Sequence, residues 1–246
     1  WNSTTSKIGT LTIAAGATLE LTGSNPTTDA TTIINNGTVF YSGASQNFLT
    51  RSTTNADGSV LFDNYYDLKL SNSNTKQLPV FDVKVANSLQ IEGSTSLSNT
   101  TNNTKVIMAN NSTIFRNSTG SIGSSTITFG SSPSDLINLS IGATVSAGGE
   151  FTSSAAPGAI GDLTITSTGV YTVTSSRNIN NLINNGVLTL NPGSSMTVTL
   201  NGDISGTGSI TGHVAASLNF AGTNAGNAGI LRLTAGSQIL NNLTIS

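Results

Sequence analysis

The sequence contains no cysteine, one histidine, one tryptophan and five prolines, and among its 246 residues only nine are Lys or Arg and 11 Asp or Glu. Each shortage excludes something. Without cysteine there is no disulfide framework and no thiolate metal site. A formal net charge of −2 gives no basic footprint for nucleic acid and no polybasic patch for anionic lipid. No apolar run approaches the roughly 20 residues that span a bilayer. No segment carries apolar residues at i, i+3, i+4 and i+7 over several turns, so helices are not expected. What remains is Ser, Thr and Asn (35, 38 and 29 residues), which with 26 Gly make up more than half of the chain. So polar a composition invites a disordered reading. Against it, the net charge is near zero and Val, Ile, Leu and Phe recur in short alternating groups, which disordered chains lack.

The unit Asn180 to Gly202 shows the pattern most clearly. Asn184, Asn185 and Gly186 turn the chain, and Val187, Leu188 and Leu190 form a short strand. Asn191-Pro192-Gly193 turns it again, and Met196, Val198 and Leu200 alternate with Thr197 and Thr199. Period-2 alternation marks a strand with one buried face, and Asn-Gly and Pro-Gly mark turns. The same grammar recurs at Gly16, Gly37 and Gly58, each 21 residues from the last, and then at looser intervals to Gly236. A second motif, Asp or Asn followed by Leu-x-Leu/Ile, occurs at Asp67, Asn138, Asp162 and Asn242. Its polar residue belongs at a corner and its two aliphatics point inward.

Recurring units of this size are the mark of stacked-repeat folds. Similarity between units favours a solenoid over a sandwich, whose strands need not resemble one another. Six Asn-Asn pairs, among them Asn35-Asn36 and Asn184-Asn185, suit tight corners, because Asn tolerates left-handed backbone. The expected fold is all-β: a parallel right-handed β-helix forming a single elongated domain over 1–246. Ten coils at about 4.8 Å each would make a rod on the order of 50 Å long. The Ser-, Gly- and Ala-rich stretch 120–157 departs most from the pattern and reads as a loop excursion or a change of coil shape. With no Met at its start, and with strand-like residues at Asn241–Ser246, the chain reads as a piece of a longer repeat protein.

The chemistry is sparse. His213, beside a Gly turn, reads as a solvent-facing turn residue rather than a base. No Gly-x-Ser-x-Gly elbow, Asp-rich calcium loop or Gly-Gly-x-Gly-x-Asp repeat is present, so no cofactor or metal is expected. The best acidic-aromatic cluster is Asp63, Tyr65, Tyr66 and Asp67. Paired carboxylates there could serve glycoside hydrolysis, but corner carboxylates accepting backbone N–H groups are the simpler reading. Adjacent tyrosines on a strand face opposite ways, so one of the two should be exposed as a surface-contact patch for sugar or protein. Thr-x-Thr triplets at Thr10, Thr126, Thr164, Thr172 and Thr197 bring an ice-binding face to mind, but their intervals are irregular. Nine Asn-x-Ser/Thr sequons occur, as chance allows in such a composition.

The phrases Asn64-Tyr-Tyr-Asp-Leu-Lys-Leu-Ser-Asn-Ser-Asn-Thr-Lys-Gln-Leu-Pro, Gly161-Asp-Leu-Thr-Ile-Thr-Ser-Thr-Gly and Asn184-Asn-Gly-Val-Leu-Thr-Leu-Asn-Pro-Gly-Ser-Ser resemble the repeat regions of large secreted surface adhesins of Bacteroidota. These include the adhesins that gliding bacteria move along their surface after type 9 export. The resemblance implies an extracellular, cell-surface structural or adhesive stalk segment without enzymatic activity. Its partners would be flanking solenoid repeats or neighbouring subunits, with glycans or abiotic surfaces as targets. A polysaccharide-degrading β-helix domain and an ice-binding solenoid are the alternatives to that reading.

Overall fold

The computed structural model describes residues 9–51, 62–98, 104–122, 127–129, 135–147, 151–153, 159–222 and 229–245. Gly58, the sequons at Asn2, Asn99 and Asn102, and the prolines at 133 and 157 lie outside them. The described residues hold strands and turns and no helix. Every strand pairing among them is parallel, and the chain winds as a β-solenoid of about nine turns.

Three strands make a turn. The first face includes Thr10–Ile13, Thr32–Asn35, Val106–Met108 and Ile127–Phe129, and the second includes Thr18–Leu21, Thr38–Tyr41 and Ile137–Ile141. The third includes Asn74–Gln77, Thr95–Ser98, Val170–Val173 and Val187–Leu190. Long strands such as Val83–Gly93 and Arg177–Asn184 bend from the first face to the second. In Val83–Gly93 a register shift between Val85 and Ser88 marks the bend. Within 120–157, the strands Ile127–Phe129, Ile137–Ile141, Thr144–Ala147 and Phe151–Ser153 stack in register on their neighbours.

The core is a set of ladders. On the second face one inward column runs Leu19, Val39, Leu68, Leu89, Ile114, Leu139, Leu163, Leu182 and Ile204, one residue per turn. From Val39 onward its members are buried, and each buried aliphatic contributes about 1.5–3 kcal/mol. Period-2 alternation produces this column, because a one-residue slip would turn every aliphatic outward. The neighbouring inward column is less uniform: Leu21, Tyr41, Leu70, Ile91, Arg116, Ile141, Ile165 and Asn184.

The Asp/Asn-Leu-x-Leu/Ile motif stands where alternation puts it. Asp67, Asn138 and Asp162 each sit at the bend, one residue before the buried ladder. Asn138 Oδ1 accepts from the Asp162 amide at 3.0 Å, Asn181 Nδ2 donates to Asp162 at 2.8 Å, and the Asp203 amide donates to Asn181 Oδ1 at 3.1 Å. The fourth copy differs. Asn242-Leu243-Thr244-Ile245 lies on a different column, paired with Ser217, Leu218, Asn219 and Phe220.

The asparagine pairs divide. Asn35-Asn36-Gly37 and Asn184-Asn185-Gly186 are corners of one design, in which the first Asn accepts the glycine amide on its Oδ1, at 3.3 and 3.1 Å. These are Asx turns. Neither uses left-handed backbone; among the described residues the non-glycine positive φ values fall at Asn72, Asn74 and Asn111, the last in the pair Asn110-Asn111. Asn180-Asn181 and Asn241-Asn242 lie inside strands rather than at turns. Ties between turns run from amide to backbone, as from Asn184 Nδ2 to the Ser209 carbonyl at 3.0 Å, and from amide to amide, as from Asn47 Nδ2 to Asn25 Oδ1 at 2.5 Å.

Candidate functional site

The acidic-aromatic cluster lies on the strand Asn64–Leu70 and the residue before it. The strand separates its members. Tyr65 points inward and is buried, while Tyr66 points outward and is 43% exposed. Tyr65 Oη sits 2.8 Å from Tyr41 Oη, which accepts the Leu49 amide at 2.9 Å. Phe48 stacks on Tyr41 with ring centroids 4.8 Å apart, and Phe62 meets Tyr65 edge-on at 4.6 Å. Burial pushes both hydroxyls above the ordinary tyrosine range. Tyr65 therefore belongs to a core aromatic cluster and is not a contact residue.

The two carboxylates are engaged separately. Asp63 accepts Asn64 Nδ2 at 2.6 Å and lies 3.9 Å from Lys84 Nζ. Asp67 accepts Asn87 Nδ2 at 2.8 Å and Ser88 Oγ at 2.5 Å. Their donors are side chains, where the sequence led us to expect backbone amides; Asp82 does accept one, from Lys105 at 2.9 Å. His213 is half-buried at the start of the strand His213–Phe220, where its Nδ1 accepts the Ala215 amide at 3.1 Å. Among the described residues no three His, Asp or Glu side chains converge as a metal site.

Tyr66 leads to a concavity. A groove of about 610 Å³ runs across successive turns at the bend between the first and second faces. Asn36, Asn64, Tyr66, Lys84, Asn110 and Asp135 form its rim, and segments 85–86 and 107–109 its floor. Asp63 and Asp67 do not line it. Asn64 and Lys84 are register partners on adjacent turns, so the rim's polar groups repeat along the stack. No single motif marks the groove in the sequence. It forms because Tyr66, Ala86 and the Ala109-Asn110 turn sit near the bend on consecutive turns.

Two buried cations were not foreseen. Lys76 is fully buried on the third face, between Gln46 and Leu97. Its Nζ donates to the carbonyls of Gly43 and Ala44 and to Gln46 Oε1 at 2.9 Å. Burial pulls its pKa down to about 8. Arg116 occupies the aliphatic column between Ile91 and Ile141 and donates to the Ser118 and Gly120 carbonyls. The available signal was position: Arg116 is two residues from Ile114, and Lys76 two from Leu78.

Threonine triplets fall on different faces. Thr10/Thr12 and Thr197/Thr199 lie on first-face strands, Thr164 on the second face and Thr172 on the third. One threonine ladder does form, Thr172, Thr189 and Thr211, but its neighbour column reads Val170, Val187 and Ser209. Phe40 faces outward beside Lys69, whose Nζ lies 5.1 Å from its ring centroid, and Phe115 stands on the same outward column beside Gln90, so not every phenylalanine is core. Comparison with family models, with curated proteins and with solved structures returns no match to this chain.

Proposed function

We propose that this chain is a structural and adhesive stalk segment of an extracellular bacterial surface adhesin. One observation carries the reading: an inward aliphatic ladder that continues from Leu19 to Ile204, one residue per turn. Such a column makes each turn the template for the next, and the fold grows in length without growing in width. Its backbone hydrogen bonds run along the stack, the direction in which a stalk is loaded. The outward surface is neutral and rich in hydroxyl and amide groups, suited to weak contacts multiplied by repetition.

Placement and shape are tested separately. Antibody against the folded chain should label intact source cells, and labelling confined to lysed cells would overturn the surface assignment. Small-angle scattering should give a rod of constant cross-section; a compact, near-spherical particle would overturn the stalk.

A further inference from the structure

We propose that the groove at the bend between the first and second faces binds an uncharged, extended oligosaccharide. The assignment goes beyond the stalk reading and does not rest on it, since a rod whose groove stays empty is still a rod. The argument starts from Tyr66. A flat ring left 43% exposed beside a groove of about 610 Å³ offers an apolar face of the kind that covers the C–H face of a sugar ring. That volume is in the range small ligands occupy.

The rim supplies oriented polar groups. Asn64 uses its Nδ2 on Asp63, and Asn110 uses its Oδ1 on the Leu136 amide at 2.9 Å. Both side chains are thereby held in place, and each keeps the opposite end of its amide for a ligand: an acceptor on Asn64, a donor on Asn110. Sugar hydroxyls both donate and accept, so they can satisfy such a mixed set. The rim carries one charge of each sign, Lys84 and Asp135, and Asp63, outside the groove, lies 3.9 Å from the Lys84 ammonium. A polyanion would meet the Asp135 carboxylate and a polycation would meet Lys84, which leaves a neutral chain as the complement. Spacing agrees: the groove crosses turns that rise about 4.8 Å each, roughly the length of one pyranose ring. The segment 83–85 offers no free edge to an added peptide strand, since it is already paired on both sides, with 64–65 and 106–108.

The test is a nuclear magnetic resonance titration of the chain with cellohexaose, mannohexaose and hexagalacturonate. At least one neutral hexasaccharide should cause saturable shifts in the amides of 64–66, 84–86 and 107–110. Tyr66→Ala should weaken binding about tenfold or more, while Tyr66→Phe should retain it. Ala86→Trp, at an exposed floor position, should block the groove without touching the core. The proposal is overturned if neither neutral sugar gives saturable shifts there, if hexagalacturonate binds more tightly, or if Tyr66→Ala or Ala86→Trp leaves affinity unchanged in a folded variant. Scattering that still reports a rod would then leave the stalk reading standing.

Discussion

At the scale of single residues, corners and buried charges set the tolerances. Gly186 has no room for a side chain: a Cβ there would sit 2.2 Å from the Gly169 carbonyl oxygen and 2.3 Å from that of Thr166. Both oxygens belong to backbone, which cannot swing aside. Gly186→Ala should destabilise the fold by about 1–3 kcal/mol, read as a lower urea midpoint, whereas Gly193→Ala, with open space around it, should be close to neutral. Lys76 makes the second case. Lys76→Met leaves the Gly43 and Ala44 carbonyls and Gln46 Oε1 without their donor, at a cost of about 1–3 kcal/mol near neutral pH. The pH dependence has a definite sign. The folded lysine releases its proton near 8, the unfolded one near 10.5. Between those values the unfolded chain binds more protons, so the penalty of burying the cation fades as pH rises. Urea midpoints of wild type and Lys76→Met should therefore diverge between pH 8 and 10, in favour of wild type. A constant difference would mean that Lys76 does not titrate in that window.

At the scale of elements, the ladder explains which parts of the fold were legible in the sequence. Leu68, Leu139 and Leu163 follow a polar corner residue and alternate with outward partners, so the motif itself states their column. The Asn-Asn-Gly corners were legible for the same reason, since an Asx turn needs only neighbouring residues. Lys76, Arg116 and the groove were not. Each depends on register between turns separated by loops of varying length, and nothing local in Lys76-Gln77-Leu78 says that Gln46 will lie beside it. The Asn242 copy misled for a related reason: identical phrases can be laid on different columns once the loops before them differ. The ladder also predicts unequal costs along the rod. Leu89 is fully buried between Leu68 and Ile114, and Leu89→Ala should cost about 2–5 kcal/mol. Leu243 is inward by register but 44% exposed, and Leu243→Ala should cost a fraction of that. Equal losses in thermal melts would mean that position along the stack does not set the packing.

At the scale of the whole molecule, a stack of turns is held by nearest-neighbour interfaces, and stability should vary along it. A turn with neighbours on both sides, such as Met196–Leu200, is paired with Arg177–Asn184 below and His213–Phe220 above. Among the described residues the strand Leu240–Ile245 has a partner on one side, His213–Phe220. The contrast appears in the same inward columns: Leu218 is fully buried and Phe220 nearly so, but their ladder partners Leu243 and Ile245 are 44% and 78% exposed. Local opening of the outer strand then breaks one interface, while exposing Met196–Leu200 requires two interfaces to part or the stack to split. Amide exchange should report this directly. Bonded amides in 240–245 should exchange fastest of the strand amides compared, those in 213–220 more slowly, and those in 177–184 and 196–200 close to the global unfolding limit. Adding a second chain or a further segment that stacks on the outer strand should slow exchange in 240–245 first and leave the centre unchanged. Uniform protection from the centre to 245 would show that the solenoid unfolds as one cooperative block, with interfaces too strong for its turns to open singly.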